Sequence, residues 1–408
     1  MNTMRTVGCA ALLLALGSAA CAGQDSVDLV VSSDAELGAL AADLLPDLAA
    51  RAGMELRSPV RLERRSRAAL VRYLETKLDE ELPVGEARNR VDAYALLGLV
   101  PADVDLRGVL LELYTEQVSG FYEPDSTALF VLDDQPEEAL RALLVHELVH
   151  AIQDQSVDLD AVTDPSLGSD RATAAQAAIE GHATLVMFEY LTEQMTGAPV
   201  DLGSVPDFAA QVRPALEAMS AQFPALAGAP RIIRESLLFP YVDGAGYVQR
   251  LWTDGRRSDP FGSRLPLSTE QVLDSGAAAP VVVRLTVDGA TPVHDDVLGR
   301  LELGILLEDV VGLSGGTEST AGAVADGWDG DRYALVELAD GRRTLVSVIV
   351  WDSPGARDRF VDAVESSSGG FGGSVAVTRI DVGGKAASML RIGVGEYTVT
   401  ASLEHDGA

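Results

Sequence analysis

The chain has 408 residues, enough for two folded units that each bury a real core. Its 62 acidic residues outweigh 31 basic ones, and a formal net charge of −31 excludes the electrostatic attraction on which non-specific nucleic-acid binding relies. Hydrophobic residues make up 47% and aromatic ones only 5%, so the composition is globular and the cores are expected to be Leu, Val and Ala.

The first stretch, "MNTMRTVGCAALLLALGSAA", places Arg5 ahead of an apolar run and ends in small residues before Cys21, the pattern of an export signal over residues 1–22. Cleavage before Cys21 would leave a cysteine for lipidation; cleavage after Ala22 would release a soluble protein. Ser18 stands where a lipoprotein box usually has Leu. The only other cysteine, Cys9, is lost on either cut, so no internal disulfide can form and the lone thiol favours an anchor. A cell-envelope lipoprotein is therefore expected in preference to a freely secreted protein. No later stretch reaches about 18 uninterrupted apolar residues, which leaves that anchor as the one expected membrane contact.

Apolar spacing predicts a helix over 34–53, bent near Pro46 and stopped by Gly53, then a short strand in "SPVRLERRS" and three further helices up to Gln117. At Ser119 the texture changes. "SGFYEPDSTALFVLDD" is two strand-forming runs around turn chemistry, a β-hairpin. A helix from Pro136 to Gln155, a loop, and an Ala-rich helix over 171–196 follow. Residues 206–238 read as broken helix, "FPYVDGAGYVQRLW" as a helix entered through a Pro and Gly turn, and Ser268 as the cap of a short helix. "GAAAP", 276–280, is the best boundary; beyond it "VVVRLTV", "RYALVELADGRRTLVSVIVWD", "SVAVTRI" and "EYTVTASLE" read as strands, interrupted by helices near 296–311 and 354–367. "GLSGGTESTAG" and "SSSGGFGG" read as loops.

Within the 136–155 helix lies "ALLVHELVHAIQDQ". His146 and His150, four apart, share one helix face and can present ring nitrogens to a single ion, while Glu147, about 100° round the helix, can reach a water on that ion. With five histidines in the chain, an accidental HExxH arises in roughly one such sequence in a couple of hundred, so chance is a poor explanation. One zinc per chain is the expected cofactor. A catalytic zinc needs a third protein ligand. Gln153 and Ser156 occupy the positions where the extended HExxHxxGxxH pattern has Gly and His, which excludes that arrangement. A Glu from the following helix remains, and Glu180, on the Ala-rich half, is the leading candidate, because close helix packing there would bring it to the ion. His182, Glu189 and Glu193 are its rivals. Asp154, one turn past His150, could hydrogen-bond a ligand imidazole or simply end a solvated helix. His294 and His405 read as surface residues, and "DGWDGD" lacks a complete calcium-loop pattern and reads as a turn packed on Trp328.

"HELVHAIQDQ" followed by "AAIEGHATLVMFEY" resembles a group of exported bacterial proteins related to gluzincin-type zinc metallopeptidases, the thermolysin-like branch. "EQVSGFYEPDSTALFVL", "FPYVDGAGYVQRLW", "LPLSTEQVL" and "GWDGDRYAL" extend the likeness, with gaps, from Glu116 to Leu335. The resemblance implies His146, His150 and Glu180 as ligands and Glu147 as the base of peptide hydrolysis, with His182 where an acidic residue is expected. It also implies that the "ALFVLDD" strand borders the cleft and pairs with an extended substrate. Tyr122, Tyr241 and Tyr247 are the available donors for an oxyanion.

Together these readings predict an α+β protein: a mostly helical zincin-like metallopeptidase domain over 23–280 with a hairpin beside the active-site helix, and a small α+β domain over 281–408. The expected partner is a peptide or protein substrate, with no nucleic acid. A zinc-holding envelope protein without turnover, and a hydrolase of a non-peptide amide or ester, use the same residues; retention of Glu147 favours catalysis.

Overall fold

A computed structural model of the chain describes residues 29–220, 223–253, 257–313, 320–367 and 369–404. The expected export segment with Cys21, and His405, lie outside the described residues. The architecture is mixed α+β, as expected. Among the described residues no helix is long and apolar enough to cross a membrane.

The chain enters through β1 (Val30–Ser32) and α1 (Ala35–Ala52). Asp34 caps α1 by accepting from the Glu36 and Leu37 amides, and Gly53 closes it at φ 66°, a left-handed turn that favours glycine. Pro46 lies within α1, whose span is uninterrupted. Strand β2 (Val60–Arg65), helices α2 (Arg67–Glu81), α3 (Val84–Leu97) and α4 (Leu106–Gln117), and the hairpin β3 (Gly120–Glu123) and β4 (Ala128–Leu132) follow. These strands form one sheet in the order β1-β2-β4-β3, in which β1, β2 and β4 run parallel and β3 runs antiparallel to β4. Strand β4, the "ALFVLDD" run, is thus interior, with all five residues buried. The edges of the sheet are β1 and β3, so β4 is paired on both sides, which corrects the expectation that "ALFVLDD" itself pairs with an extended substrate. Alternation along the hairpin sends Phe121, Phe130 and Leu132 into the core under α2–α4, and Tyr122, Leu129 and Val131 into the core under α1 and the helix that carries His146.

That helix is α5 (Glu137–Asp154), and the expected loop after it contains a single helical turn, α6 (Leu159–Val162). The Ala-rich helix α7 runs from Ser169 to Thr196, and α8 (Phe208–Ser220), α9 (Pro224–Gly228) and α10 (Arg231–Trp252) complete the helical region. Here the prediction of a turn at "FPYVDGAGY" fails: α10 is continuous through Pro240. Its glycines serve a helix crossing instead. A Cβ at Gly244 would lie 2.2 Å from the Ala177 carbonyl oxygen, and one at Gly181 would lie 2.0 Å from the Gly244 carbonyl carbon, so α7 and α10 touch backbone to backbone. Helix α11 (Thr269–Leu273) is capped by Ser268 as predicted.

Beyond residue 280 come β5 (Val282–Asp288), β6 (Thr291–Asp296), α12 (Gly299–Asp309), α13 (Thr320–Ala325), β7 (Trp328–Glu337), β8 (Arg343–Trp351), α14 (Pro354–Ser366), β9 (Val375–Val382), β10 (Lys385–Ile392) and β11 (Thr398–Glu404). Of the "DGWDGD" segment, Asp326 and Gly327 form a turn, as expected, while residues 328–331 begin β7, with a bulge between Trp328 and Gly330. Five strands pair antiparallel in the order β6-β7-β8-β10-β9, and β11 pairs with β5. One hydrophobic core joins this region to the helices before the hairpin: Leu74, Leu97 and Leu110 share it with Leu303, Leu306, Trp328 and Phe360.

Candidate metal centre

Helix α5 is buried on every side around the motif. Val145, Leu148, Val149 and Ile152 have no exposed surface, so the only polar atoms in this stretch are those of His146, Glu147 and His150. Helix α7 packs against it, with Ala174 and Ala177 in the same core as Val145, Leu148 and Val149, and the Glu180 carboxylate reaches the histidines. The result is one compact donor group. His146 Nε2 lies 3.1 Å from His150 Nε2 and 3.1 Å from Glu180 Oε2, and His150 Nε2 lies 3.3 Å from the same oxygen. Donors bound at about 2.0–2.1 Å in tetrahedral directions stand about 3.3–3.4 Å apart, so the triangle closes around one small cation with little adjustment. His146, His150 and Glu180 can therefore hold a metal ion.

The electrostatics match this donor set. Burial by itself would raise the Glu180 carboxyl, but the two imidazoles outweigh it and hold the group well below the usual carboxylate range. Burial lowers His146, a shift that Glu180 only partly offsets. His150 shows the opposite balance: burial is outweighed by Glu180, Glu147 and a hydrogen bond to the Gln153 amide oxygen, and the imidazole is pushed up to about 9. Glu147 is fully buried, and burial pushes its carboxyl up to about 8 against the His150 charge and the nearby Tyr122 amide. Among the described residues neither of its carboxylate oxygens has a hydrogen-bond partner, nor does His146 Nδ1. A buried carboxyl without a partner costs about 1–3 kcal/mol or more, which makes such a group unusual away from catalytic or ion-binding positions.

Two residues with no part in the motif complete the surroundings. Gln153 Oε1 lies 2.9 Å from His150 Nδ1, while Gln153 Nε2 donates to the Ile179 carbonyl at 3.0 Å and contacts His182 Nδ1 at 3.1 Å. His182 Nε2 in turn meets the Ala52 carbonyl at 3.1 Å. His182 is thus turned away from the donor triangle and into a hydrogen-bond chain, which removes it as a rival ligand. Gln153 carries its own signal in the sequence, an amide three residues past a candidate ligand histidine on a buried helix.

The other rivals are engaged elsewhere. Glu189 pairs with Arg257 and Arg51, and Glu193 with Arg51. Asp154 accepts from the Tyr122 hydroxyl at 2.8 Å rather than from His150, so those two candidates occupy each other. The Tyr247 hydroxyl donates to the Arg264 carbonyl. Of the three tyrosines, Tyr241 is the one beside the histidines, its ring centroid 6.1 Å from that of His146 at an interplanar angle of 29°. His294, expected at the surface, is buried between α3 and β7, where Nδ1 pairs with Glu86 at 2.9 Å and Nε2 meets the Tyr333 hydroxyl at 3.2 Å.

Residues 285–407 match the model of a family described as a domain of unknown function (DUF8575), which spans the C-terminal strands and helices and does not include the donor triangle. No curated protein and no solved structure matches the chain.

Proposed function

We propose that the protein is an exported zinc metallopeptidase of the gluzincin kind, with His146, His150 and Glu180 as zinc ligands and Glu147 as general base. The observation that carries this reading is the donor triangle of 3.1 to 3.3 Å with an unpaired, buried carboxyl one residue from its first histidine. Two imidazoles and one carboxylate suit zinc with an open coordination position. The same set serves ferrous iron, but iron chemistry gives no reason to keep an unpaired carboxyl at Glu147. Zinc, when bound, supplies Lewis acidity to the scissile carbonyl and acidifies water.

The chain's own residues supply the remainder. Glu147 accepts a proton from the attacking water and returns it to the leaving amine. Tyr241, beside His146, is the best-placed of the three tyrosines to steady a developing oxyanion. Strand β3 is the sheet edge next to α5, and the Tyr122 amide lies close to Glu147, so an extended peptide that added to this edge would run past the base. The same reading includes export through residues 1–22 with Cys21 as the lipid attachment point.

The test compares wild type with Glu147→Gln. Both should bind one equivalent of zinc, while hydrolysis of a peptide library should fall by about 10²–10⁴-fold in the variant, the usual contribution of a general base. If both bind zinc and both are inert, the protein holds zinc without turnover. If His146→Ala and Glu180→Ala leave the zinc content unchanged, the ligand assignment is wrong.

A further inference from the structure

The side chains behind His150 form a chain with only one self-consistent arrangement of hydrogens. Its anchor is the Ile179 main-chain carbonyl, which can only accept. Gln153 must therefore point its amide nitrogen at Ile179, at 3.0 Å, and its oxygen at His150 Nδ1, at 2.9 Å. The reverse orientation would set two acceptors against each other at Ile179. With an oxygen facing it, His150 Nδ1 must carry the proton. The second amide hydrogen of Gln153 points at His182 Nδ1, which must then accept, so His182 carries its proton on Nε2 and gives it to the Ala52 carbonyl, itself an acceptor. Two carbonyls on two different helices, α1 and α7, thus fix the amide, and the amide fixes both imidazoles.

We infer that Gln153 and His182 are positioning residues of the metal centre: they hold His150 in the tautomer that leaves Nε2 free to bind the ion, and they lock its ring plane. The inference rests on the zinc reading above. All five members are buried, with Gln153, His182 and Ala52 wholly so, which keeps water from substituting for a missing partner. Among the described residues His146 has no comparable hydrogen bond, since its Nδ1 is unpaired. The chain also explains why a histidine two residues after Glu180 is not a ligand: its lone pair is taken by Gln153.

The test measures zinc affinity of the full-length protein by competition with a chromophoric chelator, which needs no activity. Loss of such an outer hydrogen bond typically weakens metal binding by about 10–100-fold, the shift expected for Gln153→Leu. His182→Leu, which removes the acceptor for the Gln153 amide, should lose affinity in the same direction. His182→Asn places an oxygen where Nδ1 stands and should restore most of it. In the zinc-loaded wild type, nitrogen NMR should show the His150 proton on Nδ1, and in Gln153→Leu that proton should exchange faster with water. Zinc affinity of Gln153→Leu within about twofold of wild type overturns the inference; equal losses in His182→Leu and His182→Asn remove His182 from it. Should Gln153→Leu fail to fold, the His182 pair still decides the matter. Failure of wild type to bind zinc at all would instead sink the metal reading.

Discussion

Three buried aspartates outside the metal centre each close the start of a helix from a distance. Asp296 accepts from the Ser169 amide at 2.9 Å at the head of α7, Asp331 from the Leu298 and Gly299 amides at 3.0 and 2.9 Å at the head of α12, and Asp170 from the Thr269 amide at 3.1 Å at the head of α11. The first amides of a helix lack internal partners, so a carboxylate there satisfies donors that burial would otherwise strand. Burial still has a cost for the acids. It pushes Asp170 up to about 8 despite the Thr269 hydrogen bonds, with Asp331 and Glu302 adding to the rise, and pushes Asp331 up to about 6 against its amide and Trp328 partners. Both folded-state values lie above the ordinary carboxyl value near 4, so the folded form binds these protons more tightly. The stability that these two acids contribute is fully present below about pH 4 and is lost as pH rises from there through about 6 for Asp331 and about 8 for Asp170, at up to about 1.4 kcal/mol per pH unit for each proton. Asp170→Asn keeps an acceptor for Thr269 and removes the ionisation, so its melting temperature should fall less than that of wild type between pH 5 and 8. Parallel pH profiles for the two proteins by calorimetry would disprove the assignment.

At the scale of elements, the centre depends on how closely α7 and α10 approach, and Gly181, next to Glu180, sits at the crossing. Replacing a helical Gly by Ala ordinarily gains about 1 kcal/mol, but here the new methyl would meet the Gly244 carbonyl carbon at 2.0 Å, a main-chain atom that cannot swing aside. Overpacking of this kind costs about 1–3 kcal/mol and should prevail. Gly181→Ala is therefore expected to lower the melting temperature and to weaken zinc binding by shifting the Glu180 turn. Gly85→Ala, in α3 with open space around it, should be neutral or stabilising; equal effects of the two would refute the crossing argument. The same helices show what can be read from sequence. His146, Glu147 and His150 were legible because helix spacing alone puts them together, and Glu180 because small residues around an acid announce close packing. Gly244 was misread because a glycine kept for a turn and one kept for contact look identical along the chain. Strands β6 and β10, "TPVHDD" and "KAASMLRI", escaped because their pairing partners rather than their own composition make them strands. The burial of His294 was hidden for a similar reason, since its partners Glu86 and Tyr333 lie far away in sequence.

At the scale of the whole molecule, the region matched by the family of unknown function is tied to the helices before it by more than a linker. Leu298, Leu303, Leu306 and Trp328 belong to the same core as Leu74, Leu97 and Leu110, and Arg343 of β8 pairs with Asp92 of α3. Asp296, at the end of β6, provides the carboxylate at the head of α7, eleven residues before Glu180, so one helix carries both a candidate ligand and a contact to the C-terminal region. A boundary at 276–280 is thus a change of composition across which packing is continuous. Removing residues 281–408 would expose the α2–α4 face of the core and strand the Ser169 amide. At about 25 cal/mol per Å² of apolar surface, even 400 Å² newly exposed costs about 10 kcal/mol, comparable to the whole stability of a typical domain. The full chain should accordingly unfold in a single calorimetric transition, whereas the chain ended at residue 280 should bind hydrophobic dyes, melt without cooperativity and hold zinc weakly. A truncated protein that melts cooperatively and binds zinc as the full chain does would show instead that the C-terminal region is an appendage, and that the helices before residue 280 can build the centre unaided.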